Sequence, residues 1–213
     1  MIGNFVDGPM WYFSATVFVV GIIWRLLEVL RAGVARDLAP PRTSGLTGAV
    51  RTLFSRFVPR RTIAQNGRVQ LIAGYMFHLG LFVLLFFAAP HVDFLEQRVT
   101  GFGWTPLPNW AFILASEFAF AGLLLLILYR LMHPVTRLLS TADDYIGSVL
   151  IFVVMLTGCL ALARSFEPLR LIHLLLVELL LLYFPFSNLM HAFTFALSRS
   201  YTGANMARKG VNA

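Results

Sequence analysis

The residues of this sequence best suited to chemistry are its five histidines, His78, His91, His133, His173 and His191. Two of them bracket the stretch HLLLVELLLLYFPFSNLMH, which keeps an imidazole at each end of an otherwise apolar run. Read as one uninterrupted helix, the 18-residue separation of His173 and His191 makes about five turns. Both rings then leave one face roughly 27 Å apart, nearly the ~30 Å thickness of a bilayer's hydrocarbon core. An imidazole in hydrocarbon needs a partner, and intramembrane ionisable groups are functional candidates by default. Haem iron takes axial imidazoles. The single cysteine, Cys159, excludes an intrachain disulfide and any cysteine-ligated cluster or zinc site, and no C-x-x-C-H motif occurs, so a bound haem is of the non-covalent b type. A lone apolar cysteine is itself most simply a packing residue.

The elements that position these rings follow from composition. Of 213 residues, 58% are hydrophobic and 13% charged, and the mean hydropathy is +0.76. That balance belongs to an integral membrane protein, not a soluble domain. Five apolar runs reach the ~20 residues needed to span: 11–30, 69–89, 110–132, 145–163 and 171–197, the last long enough to tilt or emerge at its end. The fold class is therefore all-α, a single five-transmembrane-helix bundle over 1–213. No basic residue precedes the first run, so it reads as a retained anchor and not a cleavable signal. Fourteen of the 17 Lys and Arg residues fall at Arg25, in 31–68, at Arg130 and Arg137, and in 199–209; only Arg98, Arg164 and Arg170 fall on the other side. By the positive-inside rule the chain is N-out and C-in, with 31–68 a basic cytoplasmic loop.

Topology sets the depth of each histidine. The second span runs outwards, placing His78 in its inner half and His91 at its outer end; the fifth runs back, placing His173 outside and His191 inside. Two depth-matched pairs result, His78 with His191 and His91 with His173. His91 follows His78 by 13 residues, roughly 140° away on a straight helix. Pro90 before it can break that helix, so His91 either completes a second haem or sits at the interface. His133, followed by Pro134, has no depth-matched partner and reads as an interface residue.

Within the basic loop, GLTGAVRTLFSRFVPRR sets Leu46, Val50, Leu53, Phe54 and Phe57 at helical spacing among arginines. This pattern suits a short helix lying in the membrane interface, or one docking a cytoplasmic subunit. The sequence pI near 10.3 does not point to nucleic acid, since the arginines track one membrane face, where lipid headgroups or an acidic partner meet them. In LLSTADDY, Thr141 and Asp144 have the spacing of a capping box at the start of the fourth span. The loop HVDFLEQRVTGFGWTPLPNW carries Trp104 and Trp110, which either anchor at the interface or wall an opening. No internal repeat is evident, unlike the repeat-built transporters.

FHLG around His78, TADDYIGSVLIFVVMLTG through the fourth span and LIHLLLVELLLLYFPFSNLMH at the end resemble the gamma subunit of respiratory nitrate reductase and its relatives. Those relatives include the membrane cytochromes of heterodisulfide reductase-like and sulfite-reduction-linked complexes. The similarity covers roughly 69–199. It implies a dihaem cytochrome b exchanging electrons between membrane quinone and a cytoplasmic iron–sulfur partner. Carried over by position, His78 and His191 ligate the inner haem and His173 one side of the outer haem. The nitrate reductase form has its second span-two histidine ten residues after the first, and that position here is Ala88. Heterodisulfide reductase-like relatives carry a later histidine resembling His91 in PHVDFL, with a stretch resembling GFGWTPLP, and this chain is closer to that branch.

The expected function is thus that of a haem b subunit, with two haems or at minimum one, in a bacterial or archaeal cytoplasmic membrane. It would pass electrons between quinone and the iron–sulfur subunit. Arg164 and Arg170 near His173, and Arg68 and Arg199 inside, are either propionate partners or ordinary flanking arginines. Glu117 and Glu178, within spans three and five, either relay quinone protons or make interhelical hydrogen bonds. Two other readings stand beside this one: a haem-free anchor recruiting an enzyme through 31–68, and a small-solute or metal transporter using the histidines as a pathway. The first gives the paired histidines no task; the second lacks repeat symmetry and has few intramembrane acids.

Overall fold

The computed structural model describes residues 2–33, 40–59, 61, 65, 67–164 and 166–211, with only the backbone of Ile2 and Arg164. All regular structure among these residues is helical, and five helices are long and apolar enough to cross a membrane: Gly3–Arg31, Arg68–Phe87, Asn109–Met132, Ala142–Ala163 and Glu167–Phe186. The chain is a multi-pass membrane protein. It divides into two compact units, one of Met1–Ile63 with Leu160–Ala213 and one of Ala64–Cys159.

In the second unit, α3 (Arg68–Phe87) packs along α5 (Asn109–Met132). Their contact is made by small residues: Ala73 and Ala119 are fully buried, and a Cβ on Gly80 would stand 2.8 Å from both the Cβ and the nitrogen of Ala119. Close approach of this kind drives helix pairing where lipid removes the hydrophobic incentive. Phe77, Leu84, Leu123 and Met155 fill the space around it, and Phe120 meets Phe152 of α7 (Ala142–Arg164) edge to face at 5.3 Å. The acidic half of the capping expectation at α7 is realised: the backbone N–H of Thr141 donates to the Asp144 carboxylate at 2.8 Å, while the Thr141 hydroxyl donates to that carboxylate too and does not cap the Asp144 N–H. That carboxylate also lies 3.5 Å from Arg130.

α3 stops at Ala88, whose ψ of 134° is extended, and α4 (Ala89–Leu95) begins with Pro90 in its first turn. Pro90 has no N–H to serve the carbonyl of Phe86 four residues back. Trp104 takes its place: its indole N–H donates to the Phe86 carbonyl at 2.7 Å, and Leu107 N–H donates to Phe87 at 2.9 Å. The GFGWTPLP stretch is thereby the cap of α3. A short helix α6 (Pro134–Leu139) follows α5.

In the first unit the chain enters through Ile2–Phe5 and a π-helical turn, Val6–Met10, before α1 (Trp11–Arg31), which packs on α8 (Glu167–Tyr183). The sequence reading of one helix over 171–197 is corrected here. After Tyr183 come a 3-10 turn at Phe184–Phe186, an extended Ser187, a second 3-10 turn at Asn188–Met190, and a new helix α9, His191–Arg208. Pro185 cannot donate within the helix, and the Ser187 hydroxyl accepts from Leu189 N–H at 3.2 Å, starting the next segment. Phe18, Phe184 and Phe193 cluster edge to face around this break. The five-turn, one-face relation of His173 to His191 therefore does not hold.

α9 runs on past the expected end and packs on α2 (Gly45–Ser55), the expected short helix of the basic loop. A Cβ on Gly48 or Gly203 would collide with the other's backbone, so the two helices touch through glycine, with Thr52 buried beside them. The apolar face of α2 points away: Leu46, Val50 and Phe54 are exposed. An apolar face turned outward suits a helix in a membrane interface, as its spacing suggested.

Candidate haem-ligating histidines

His78 lies on α3, half-buried, with its ring edge against Phe77 at 4.8 Å between centroids. Its Nδ1 is 2.7 Å from the carbonyl of Gly74, one turn earlier. A carbonyl only accepts, so Nδ1 carries the proton and Nε2 is the basic nitrogen of the neutral ring. Gly74 itself is bare on that side: among the described residues no heavy atom outside the local helix backbone lies within 4 Å of where its Cβ would be.

His91 repeats the arrangement by different means. The break at Ala88 folds it back, and its Nδ1 lies 3.0 Å from the Leu84 carbonyl, seven residues earlier. The 140° offset of a straight helix does not describe it, because the helix is not straight there. His191, exposed as the first residue of α9, has Nδ1 2.8 Å from the Asn188 carbonyl in the 3-10 turn before it. Three of the four candidate ligands thus have Nδ1 tied to a main-chain carbonyl. That is the usual outer-shell arrangement of a metal-bound histidine: it fixes the tautomer, orients the ring and strengthens the other nitrogen as a donor.

His173 is half-buried on α8, three residues beyond Arg170. The Arg170 guanidinium is engaged: Nη1 and Nη2 donate to the two Asp7 oxygens at 3.2 and 2.9 Å, and Nη2 donates to Glu167 at 2.9 Å. These contacts tie the start of α8 to the entering turn. Asp7 was not singled out from sequence, because its partner lies 163 positions away. The Arg164 side chain lies outside the described residues.

Two further groups stand out. Glu178 on α8 is 2% exposed, and its Oε2 has no hydrogen-bond partner among the described residues; Glu117, by contrast, is exposed. His133 stacks on Tyr129, 4.9 Å between centroids and 13° from parallel, with its Nδ1 buried and without a partner among the described residues. Its position at the end of α5, one residue before Pro134, gave no signal of that burial.

Among the described residues no three His, Cys, Asp or Glu side chains gather into a metal-binding group. A haem does not need one, since the macrocycle supplies four nitrogens and the protein only axial ligands. The histidines with their proton held on Nδ1 fit that demand.

No protein-family model matches the chain. It is 29% identical to a protein of Nitratidesulfovibrio vulgaris (strain Hildenborough), over 96% of this chain and 93% of that one. It is 25% identical to the Hdr-like menaquinol oxidoreductase cytochrome b-like subunit of Archaeoglobus fulgidus, over 100% of this chain and 84% of that one. The second likeness supports the heterodisulfide reductase-like branch.

Proposed function

We propose that this chain is the haem b-carrying membrane subunit of a quinone-linked oxidoreductase complex, with menaquinol the first quinone to test, given the name of the Archaeoglobus relative. The observation that carries the reading is the shared state of His78, His91 and His191, each with Nδ1 held by a main-chain carbonyl. A membrane anchor without haem has no use for three rings so prepared.

Bound haem b supplies one-electron redox chemistry. The protein's part is ligation and tuning: the Nδ1–H bonds hold each ring in one tautomer and make Nε2 the ligating nitrogen. His78 and His191 are proposed to share one haem and His91 and His173 a second. Glu178, a buried carboxyl on the helix of His173, is the proposed acceptor for a proton released when quinol is oxidised. The basic segments on α2 and α9 are proposed to face the cytoplasm of the host cell, where an iron–sulfur subunit exchanges electrons with the nearer haem.

The test is a dithionite-reduced minus oxidised spectrum of the purified chain, with pyridine haemochrome quantitation. A low-spin, six-coordinate haem b signal is expected. A folded preparation without haem refutes the proposal in favour of the anchor; one haem per chain removes only the His91 site.

A further inference from the structure

The crossing of α2 and α9 holds a cleft of about 350 Å³. Among the described residues it is lined by Thr52, Arg56, Pro59, Ser198, Arg199 and Thr202: two guanidinium groups, three hydroxyls and no carboxylate. The Arg199 guanidinium is fixed in place, its carbon 4.8 Å from the centre of the Phe57 ring and 5.5 Å from that of Phe195. Its Nη1 is nonetheless buried with no hydrogen-bond partner among the described residues. A charged N–H left unsatisfied is costlier than a neutral one, and neither Arg56 nor Arg199 has an ion pair among the described residues.

What completes such a site is an anion with several oxygens. Planar guanidinium forks match phosphate two bonds at a time, and the hydroxyls of Thr52, Ser198 and Thr202 add donors. The source of that phosphate is suggested by the other side of α2. There Leu46, Val50 and Phe54 are exposed, and cations beside an outward apolar face are what an interface-lying helix offers to lipid. We propose that the cleft binds the phosphate of an anionic phospholipid whose acyl chains lie along the outer face of α2. The proposal stands independently of the haem reading.

The experiment is native mass spectrometry of the full-length chain in a zwitterionic detergent. The probes are dioctanoyl phosphatidylglycerol, dioctanoyl phosphatidylcholine and inorganic phosphate. One phosphatidylglycerol per chain is expected, held in preference to phosphatidylcholine. Arg56→Gln should weaken it by roughly tenfold, the equivalent of losing one charge-assisted hydrogen bond. Arg199→Gln should weaken it at least as much, and Arg199→Lys should recover part of the loss. Because the Arg56 side chain makes no hydrogen bond or ion pair among the described residues, its variant tests the site without disturbing the rings that Arg199 packs against. Displacement of the lipid by inorganic phosphate supports recognition through the anion. Phosphate binding without phosphatidylglycerol binding overturns the lipid and assigns the cleft to a soluble phosphate. Equal retention of the two lipids, or phosphatidylglycerol binding unchanged in Arg56→Gln, overturns the site. Loss of haem from Arg199→Gln with lipid retained also overturns it, and gives the guanidinium to a haem propionate.

Discussion

Gly74 separates a haem-binding α3 from a merely structural one. It lies one turn before His78, its carbonyl holds the imidazole Nδ1, and among the described residues a Cβ there meets no atom outside the local helix backbone within 4 Å. Substitution by alanine therefore costs the protein nothing in packing and removes the helix penalty of glycine, about 1 kcal/mol. Gly80 is the internal control, since its Cβ would fall 2.8 Å from Ala119. Overpacking of that kind costs roughly 1–3 kcal/mol. If a planar macrocycle lies against the face shared by Gly74 and His78, a large side chain at 74 must displace it. The prediction is that Gly74→Leu folds as well as the parent yet loses the haem component assigned to His78. Gly80→Ala should show the reverse pattern, a lowered unfolding midpoint, with haem lost only as the fold is lost. The assays are haemochrome content per chain and thermal unfolding in the same detergent, compared with His78→Ala. Full retention of the His78-dependent spectrum in Gly74→Leu would refute the reasoning, because no haem could then occupy that face.

Replacing either His78 or His191 by alanine should remove the same spectral component and leave the other, and loss of different components would show that the two do not share an iron. Trp104→Phe keeps the ring but deletes the donor that caps Phe86, and should lower stability by about 0.5–1.5 kcal/mol; an unfolding midpoint equal to the parent's would dismiss the capping role. Asp7→Asn leaves Arg170 with Glu167, and since both members of the lost pair are more than a third exposed, the cost should stay within about 1 kcal/mol and shrink with salt. Cysteines placed at Thr47 and at Thr105, labelled in intact cells with an impermeant reagent, test the orientation: the first should be protected and the second reached.

The hydropathy of the sequence located all five spans, the second, third and fourth to within about three residues at each end, because a run of about 20 apolar residues has few other uses. The amino-terminal span and the fifth differ from expectation for local reasons. The first helix begins before its apolar run, where Asp7 pairs with Arg170. FPFSNLMH reads as continuous hydrophobic periodicity, and only Pro185 with Ser187 hints at the two turns that divide it. Asp144 was legible because its partner is three residues away, and Pro90 because proline acts on its own backbone. The consequence of Pro90 was not, since the donor that replaces its missing N–H comes from Trp104 in the following loop. The candidate histidines could be singled out from sequence, but the state of their Nδ1 could not, because in His91 and His191 it depends on breaks in the helix.

The division at Phe184–Met190 gives the two ends of the candidate motif different masters. α8, with His173, is held by α1 and by the Asp7–Arg170 tie, whereas α9, with His191 at its head, takes its direction from α2. Selection acting on α2, for instance to fit a new neighbour at the basic surface, re-aims α9 and so adjusts one imidazole while leaving the other alone. Such a joint lets the direction of α9, and with it the His191 ring, change at its contact with α2 while α8 and His173 keep their own supports.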